Sequence, residues 1–322
     1  MAIAVGSHST YDEPIATGGN REDLSDVIRD VSPTDTPVLT MMGTAKASAT
    51  NHEWLVDALT DAADNKHLEG GDMTGVDPAS RGRLGNYTQI LSKNAVVPGT
   101  QEAVMKAGGI KSEMAYQMAR RMKEMKRDLE LTIVGMSNAK VAGNETVARE
   151  MGSLDSYVHT NISLAASGSS VPAGNGAAPS DYAGTNRALT EDILKASLQT
   201  LFTNSGGNSE VNMVVPAATK SLISTFTGSS TRYATTEDKK LVASIDVYVG
   251  DFHTVRVIPD RYCLTGLSFI IDPEYLKLAD LRPIHSFDIA KLGDATRKQI
   301  VWETTLEVCN EKAHALIGDL TT

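Results

Sequence analysis

The chain has 322 residues, 41% hydrophobic and 22% charged, a balance that suits a folded protein with one large or two modest cores. A net charge of −10 excludes a strong nucleic-acid binder, because gripping phosphates requires a basic face. No run of about 18 apolar residues is present to span a membrane. The opening stretch Met1–His8 lacks the basic-then-apolar order of a secretion signal, so a reducing cytosol is expected. Cys263 and Cys309 have no CxxC spacing and no nearby histidine pair, which predicts idle thiols without a metal.

Residues 1–46 read as an extended arm. Gly18-Gly19 interrupts it, Asp23–Arg29 has length for two helical turns, and the Ser32-Pro33-Thr34-Asp35-Thr36-Pro37 run forces an extended path. Residues 51–59 and 86–97 carry strand composition around Trp54, Val56, Tyr87 and Val97. The 26 residues between them, 60–85, hold five glycines and eight charged side chains. A connection that long is unusual inside a compact domain, so a projecting hairpin with a charged, mobile tip is predicted.

Residues 110–136 give the strongest helical signal. Ile110, Met114, Met118, Met122, Met125, Leu129, Ile133 and Met136 recur every three or four positions, predicting a rod of roughly 40 Å with a methionine-rich core face. Residues 165–180 are nearly all Ala, Ser, Gly or Pro and predict a flexible surface loop. An α/β section follows. Thr190 caps a helix that Gly206-Gly207 ends, Val211–Val215 is a strand, and Pro216 opens a second helix. Alternation at Ile245, Val247 and Val249, a turn at Gly250-Asp251, and Val255 with Val257 predict a hairpin. Four strands end the chain, at 267–271, 275–282, 298–309 and 313–320, and they require earlier partners in a discontinuous domain. In the third, Ile300, Trp302, Leu306 and Val308 oppose Glu303, Thr305 and Glu307.

No catalytic constellation emerges. GxSxG, HExxH and paired CxxC motifs are absent, and Gly108-Gly109-Ile110-Lys111-Ser112 lacks the upstream glycine of a phosphate loop. His52-Glu53 is an acid–base pair in type only, since both sit on a predicted ribbon. The acidic residues Asp57, Asp61, Asp64, Glu69, Asp72 and Asp77 match no calcium-loop spacing and read as a solvated tip. Hence no catalytic residue, metal or cofactor is expected. Arms and hairpins that bury their surface on neighbouring copies point instead to a self-assembling protein.

A series of segments resembles the major head proteins of tailed bacteriophages, from about residue 18 to 320. It comprises Gly-Asn-Arg-Glu-Asp-Leu-Ser-Asp-Val-Ile at 19–28 with the Ser-Pro-Thr-Asp-Thr-Pro that follows, Ala-Thr-Asn-His-Glu-Trp at 49–54, Arg-Leu-Gly-Asn-Tyr-Thr-Gln at 83–89 and Gly-Thr-Gln-Glu-Ala-Val at 99–104. It resumes with Glu-Asp-Lys-Lys-Leu-Val-Ala at 237–243, Asp-Val-Tyr-Val at 246–249, Asp-Pro-Glu-Tyr at 272–275, Leu-Arg-Pro at 281–283 and Thr-Leu-Glu-Val at 305–308. Their order over nearly the whole chain makes the resemblance specific.

The resemblance implies an α+β Hong Kong 97-type capsid fold. It divides the chain into an N-terminal arm (1–46), an extended loop (47–98), a peripheral domain with a spine helix (99–149), an axial domain (150–271) and a peripheral return (272–322) with a three-fold contact loop at 285–297. The implied function is a non-enzymatic subunit whose hexamers and pentamers form an icosahedral head around double-stranded DNA. Assembly in the bacterial cytoplasm, with a portal and with scaffolding or decoration proteins, belongs to the same expectation, without sequence-specific DNA binding and without a membrane. The inter-subunit candidates are Arg81 and Arg83 near the hairpin tip, Glu124, Asp128 and Glu130 of the spine as their acceptors, and Asp288, Lys291, Asp294 and Arg297 at the three-fold loop. No motif matches the Lys–Asn crosslink of the fold's namesake. Two rivals remain at this point, an encapsulin-like compartment shell and a cytosolic α/β enzyme with a lid at 165–180.

Overall fold

Ser112 begins the long helix α3 (Glu113–Glu130) by accepting a hydrogen bond from the Ala115 amide at 3.3 Å. The methionine stripe then buries Met114, Met118, Met125 and Leu129. The expected span of 110–136 is shortened at both ends. After Glu130 the chain widens into a π-helical turn, Leu131–Gly135, whose extra residue rotates the register and buries Thr132, Ile133 and Val134. Met136 falls off the stripe and is exposed. The α-helix is therefore about 27 Å long at 1.5 Å per residue. The computed structural model describes residues 32–60, 62–71, 81–106, 109–165, 169–179, 182, 184–205, 207–226 and 246–321. The helical expectation for Asp23–Arg29 lies outside that set.

Helix α3 packs against a four-stranded sheet made of β1 (Gly43–Lys46), β10 (Leu276–Ile289), β11 (Ala295–Val308) and β4 (Gln89–Pro98), in that order. A second sheet of six strands runs β5 (Ile162–Ser163), β12 (Ala315–Ile317), β9 (Ser268–Ile271), β6 (Glu210–Val215), β8 (Thr254–Pro259) and β7 (Val247–Val249). Helices α4 (Glu191–Asn204) and α5 (Ala217–Ile223) share a core with it, through Leu194, Leu198, Leu201, Met213, Ile223 and Val255. The final strands divide as the discontinuous reading requires: β10 and β11 pair in the first sheet, while β9 and β12 pair in the second.

The predicted hairpin forms with a shorter second arm. Strand β2 (Asn51–Val56) pairs antiparallel with β3 (Gly82–Tyr87), and at Thr88 the chain changes sheets. Residues 89–98 then line up along β11 instead of β2, and the short helix α2 (Gly99–Ala103) follows. The cause sits on both sides of the corner. Asn86, wholly buried, donates to the carbonyls of Gly152 and Leu306 and accepts from the Gly152 amide, while Thr305 donates to the Tyr87 carbonyl. The Gly85 carbonyl accepts from Lys140 Nζ at 2.7 Å and from the Tyr157 hydroxyl at 3.1 Å. His52 pairs with Glu307 at 2.8 Å, and not with its neighbour Glu53.

A second correction concerns 165–180. Its described part, 165 and 169–179, lies against the body: the Ala165 amide donates to Asp319, while Gly176 donates to the Ser156 carbonyl and accepts from the Lys140 amide. Gly176 has φ +76°, and a Cβ there would strike the Tyr157 ring, so glycine is required for close approach and not for mobility. Likewise, the loop expected at 285–297 is mostly strand, with β10 running to Ile289, β11 resuming at Ala295 and only the connecting turn outside. Pro283 fits inside β10 because the register slips there between Arg282 and His285.

The polar face of β11 is covered rather than solvated. Glu303 is almost fully buried, and its carboxylate accepts from Arg149 Nη2 and Arg282 Nε, each at 2.6 Å, and from the Thr88 hydroxyl at 3.0 Å. Removing that acceptor strands two guanidinium groups and a hydroxyl. Since both arginines reach solvent, Glu303→Ala is expected to lose about 3 kcal/mol, the low end for a broken buried pair, measured by denaturant unfolding.

His314, immediately before β12, is fully buried and accepts from the Asp272 amide through Nδ1 at 3.3 Å. Burial holds its pKa down at about 4 against an ordinary 6.5. The native state thus binds fewer protons than the unfolded chain between those values, and stability falls as pH drops from 6.5 towards 4. His314→Gln is expected to flatten that acid slope in melts between pH 7 and pH 4.5.

Candidate inter-subunit contacts

Two hairpin ribbons leave large apolar side chains exposed. In the first, β2–β3, the strands carry Leu55 at 62% exposure, and the connection beyond them carries Leu59 and Leu68 at 98% and 87%. The second is the outer end of the β10–β11 hairpin, flanked by β4 on the β11 side, where Ile284, Phe287 and Leu292 are exposed. Exposed large apolar side chains on such hairpins bury little locally and mark contact surfaces.

The predicted contact residues fall into three groups. Arg81 and Arg83 are exposed near the first ribbon's outer end and bind its own carboxylates, Asp57 at 3.3 Å and Glu53 at 3.5 Å. Glu124 pairs with Arg121 one turn away at 2.7 Å, and Asp128 pairs with Lys93 of β4 at 2.7 Å. Within one chain, then, the two arginines and the spine carboxylates have other partners. All are solvent-accessible pairs that exchange at little cost.

Glu130 must be withdrawn from the contact set. Its side chain is completely buried, and its two oxygens accept from the amides of Val38 at 2.8 Å and Leu39 at 2.9 Å. Those amides open the short helix α1 (Pro37–Met41), which has no side-chain cap of its own, so the carboxylate of a distant helix supplies one. Burial raises its pKa to about 7 despite the two amides, with Asp260 adding to the rise. Charge at the end of the methionine stripe gave no hint of this, because the partners are backbone groups 92 and 91 residues away.

At the second ribbon the structure brings Asp288, Lys291 and Arg297 around one shallow hollow, with Lys298 beside them and paired to Asp288 at 3.2 Å. Asp294 sits at the foot of the turn, its carbonyl accepting from the Gly99 amide and its carboxylate filling the space beside Gly99. A further exposed apolar surface escaped the sequence reading. Phe202 and Phe252 stack at 4.9 Å near the edge strand β7, which exposes Val247 and Val249. Its only sequence signal is that Phe202 lies outside the Leu194–Leu198–Leu201 stripe of α4. Among the described residues no group of three or more His, Cys, Asp or Glu could hold a metal ion. Cys263 is buried and Cys309 partly so; both are free, and burial pushes the two thiols up, Cys309 to about 11. No helix among the described residues is long and apolar enough to cross a membrane.

A spine helix over a four-stranded sheet, a second mixed sheet and the β2–β3 hairpin define the class: this is the Hong Kong 97-type fold of phage capsid subunits. Over 96% of its length the chain superposes on a chain of the cyanophage A-1(L) capsid asymmetric unit, covering 99% of that chain with a TM-score of 0.65 at 14% identity. It is similar in the same way to the capsid of a native GTA particle (TM-score 0.64, 12% identity, 99% and 100% covered) and to a chain of Mycobacterium phage Adephagia (0.60, 11%, 98% and 100%). Residues 9–321 match the SU10 major capsid protein family, and the chain belongs to it. It is also 30% identical over 138 residues to the major capsid protein of Escherichia phage Phieco32, a match that spans 42% of this chain and 38% of that relative.

The Glu130 cap yields a direct test. Glu130→Ala leaves the Val38 and Leu39 amides without an acceptor and is expected to cost about 1–3 kcal/mol in denaturant unfolding, with hydrogen exchange rising first at residues 38–41.

Proposed function

We propose that this chain assembles with copies of itself into the hexamers and pentamers of an icosahedral phage head that encloses double-stranded DNA, and that it catalyses nothing. The observation that carries the reading is the contrast between a body that satisfies its buried Glu130 and Glu303 carboxylates internally and two ribbons that expose leucine, isoleucine and phenylalanine. In this reading residues 1–46 are the arm, 47–98 the extended loop, 99–149 and about 272–312 the peripheral domain, and 150–271 the axial domain, on whose sheet the final strand closes. The first ribbon lies across an adjacent subunit, where Arg81 and Arg83 exchange Asp57 and Glu53 for Glu124 and Asp128. The second ribbon, through Asp288, Lys291, Asp294 and Arg297, meets its equivalents around a three-fold axis. Such exposed pairs contribute only about 0.2–1 kcal/mol each, and a closed shell repeats them in every copy. A net charge of −10 suits a container that must not trap the DNA it holds. Portal, scaffolding and decoration proteins are the further partners, and the bacterial cytoplasm is the place of assembly.

Expression of the full chain followed by light scattering and negative-stain microscopy tests the reading. Closed megadalton particles, or hexamers and pentamers, support it; a chain that stays monomeric with its scaffold and with crowding agents contradicts it. Within an assembling preparation, Arg81→Glu/Arg83→Glu should lower shell yield while leaving subunit stability within about 0.5 kcal/mol. Alanine at Asp288, Lys291, Asp294 and Arg297 should lower the melting temperature of particles but not of subunits, and equal melting of both refutes the three-fold contact.

A further inference from the structure

The outer end of the β10–β11 hairpin is basic in an acidic protein. Between residues 288 and 298 it sets Lys291, Arg297 and Lys298 against Asp288 and Asp294, in a chain of net charge −10. Both carboxylates are already engaged. Asp288 pairs with Lys298 at 3.2 Å, and the Asp294 carboxylate fills the space beside Gly99 at the foot of the turn. Among the described residues, Lys291 and Arg297 are left with no carboxylate within ion-pair distance, and the buried Arg297 Nε has no acceptor. Arg297 stands in β11 between Ile289 of β10 and Val96 of β4, so strand pairing on both sides fixes where its stem begins. It lines one shallow hollow together with Lys291 and Lys298.

A guanidinium with no carboxylate partner and an unmet donor is the group that an oxyanion satisfies. Its planar fork suits two oxygens of one anion, and a lysine ammonium nearby adds a point charge. We propose that this hollow holds a tetrahedral oxyanion of the phosphate class, bound by Arg297 and Lys291 with Lys298 in support. Asp288 is the opposing group: its carboxylate lines the same hollow and occupies Lys298, so it holds the affinity down. What the anion does there rests on the three-fold contact proposed above. Tips that meet around such an axis bring Lys291 and Arg297 of every copy together, and like charges in proximity repel. Oxyanions seated in the hollows offset that repulsion, and filled hollows favour closure of the contact.

Titration of inorganic phosphate into the soluble full-length subunit tests the site, read by phosphorus NMR line width at constant ionic strength with chloride as the balancing ion. Saturable broadening is expected. Arg297→Gln should weaken binding about tenfold, as should Lys291→Gln, which changes only the exposed turn and leaves the strands intact. Asp288→Asn should tighten it about threefold, because an opposing charge is gone and Lys298 is freed. Broadening that never saturates, or an affinity indifferent to all three changes, overturns the proposal. Assembled particles test the closing role separately. Their melting temperature should rise in phosphate over chloride at equal ionic strength, and Lys291→Gln should remove the rise, whereas a general salt effect would survive that change. A rise that is the same with and without Lys291 overturns the closing role. Subunits that bind phosphate yet form no particles sink the shell reading and leave the site standing.

Discussion

The Glu303 carboxylate is where the pieces of this fold meet. It lies in the middle of β11, the strand with a neighbour on each side, and it collects Arg282 from β10, Thr88 from the corner between β3 and β4, and Arg149 from the segment that follows α3. A buried carboxylate is unfavourable by itself, and its three donors make it tolerable only when all three segments are in place. The same corner is held from the other side by Asn86 and by the two donors to Gly85. This geometry makes the chain leave the hairpin at Thr88 and enter the sheet. The ribbon's root is thereby rigid, and its outer end is left to find a surface elsewhere.

The division of labour between body and ribbons follows. Inside the body, methionine and leucine of α3 pack on β4 and β11, while α4 and α5 pack on the second sheet. Outside it, charges pair weakly with neighbours on the same ribbon, and apolar side chains stand in solvent. Pairs of that kind exchange partners without a large desolvation penalty. A subunit built this way can fold first and assemble afterwards, through contacts that are individually small and collectively closed by symmetry.

What could be read from the residues followed their periodicity. The methionine stripe, the Thr190 cap, the Val211–Val215 strand and the 247–257 hairpin all have local signals, and all but the first, whose helix is shorter at both ends, appear close to their expected spans. The corner at Thr88 had none, because strand composition runs unbroken from 86 to 97 and the switch is made by Asn86 reaching residues 152 and 306. Composition also misled at 169–179. Small residues there permit close packing on Tyr157 as readily as they permit mobility, and only the tertiary neighbour decides between the two. Of the contact residues, the exposed arginines were legible from charge and loop length, whereas the burial of Glu130 depended on backbone amides more than ninety residues away.

The central claim is that the ribbons are completed by neighbouring copies and the body is not. Hydrogen exchange compared between free subunits and assembled particles measures this residue by residue. The account predicts that amides at 53–59, 81–85 and 287–297 slow by at least about tenfold on assembly, while those of β9, β12 and the inner half of β11 stay unchanged. Ribbons that exchange equally fast in both states, with protection gained instead in the body, would contradict it.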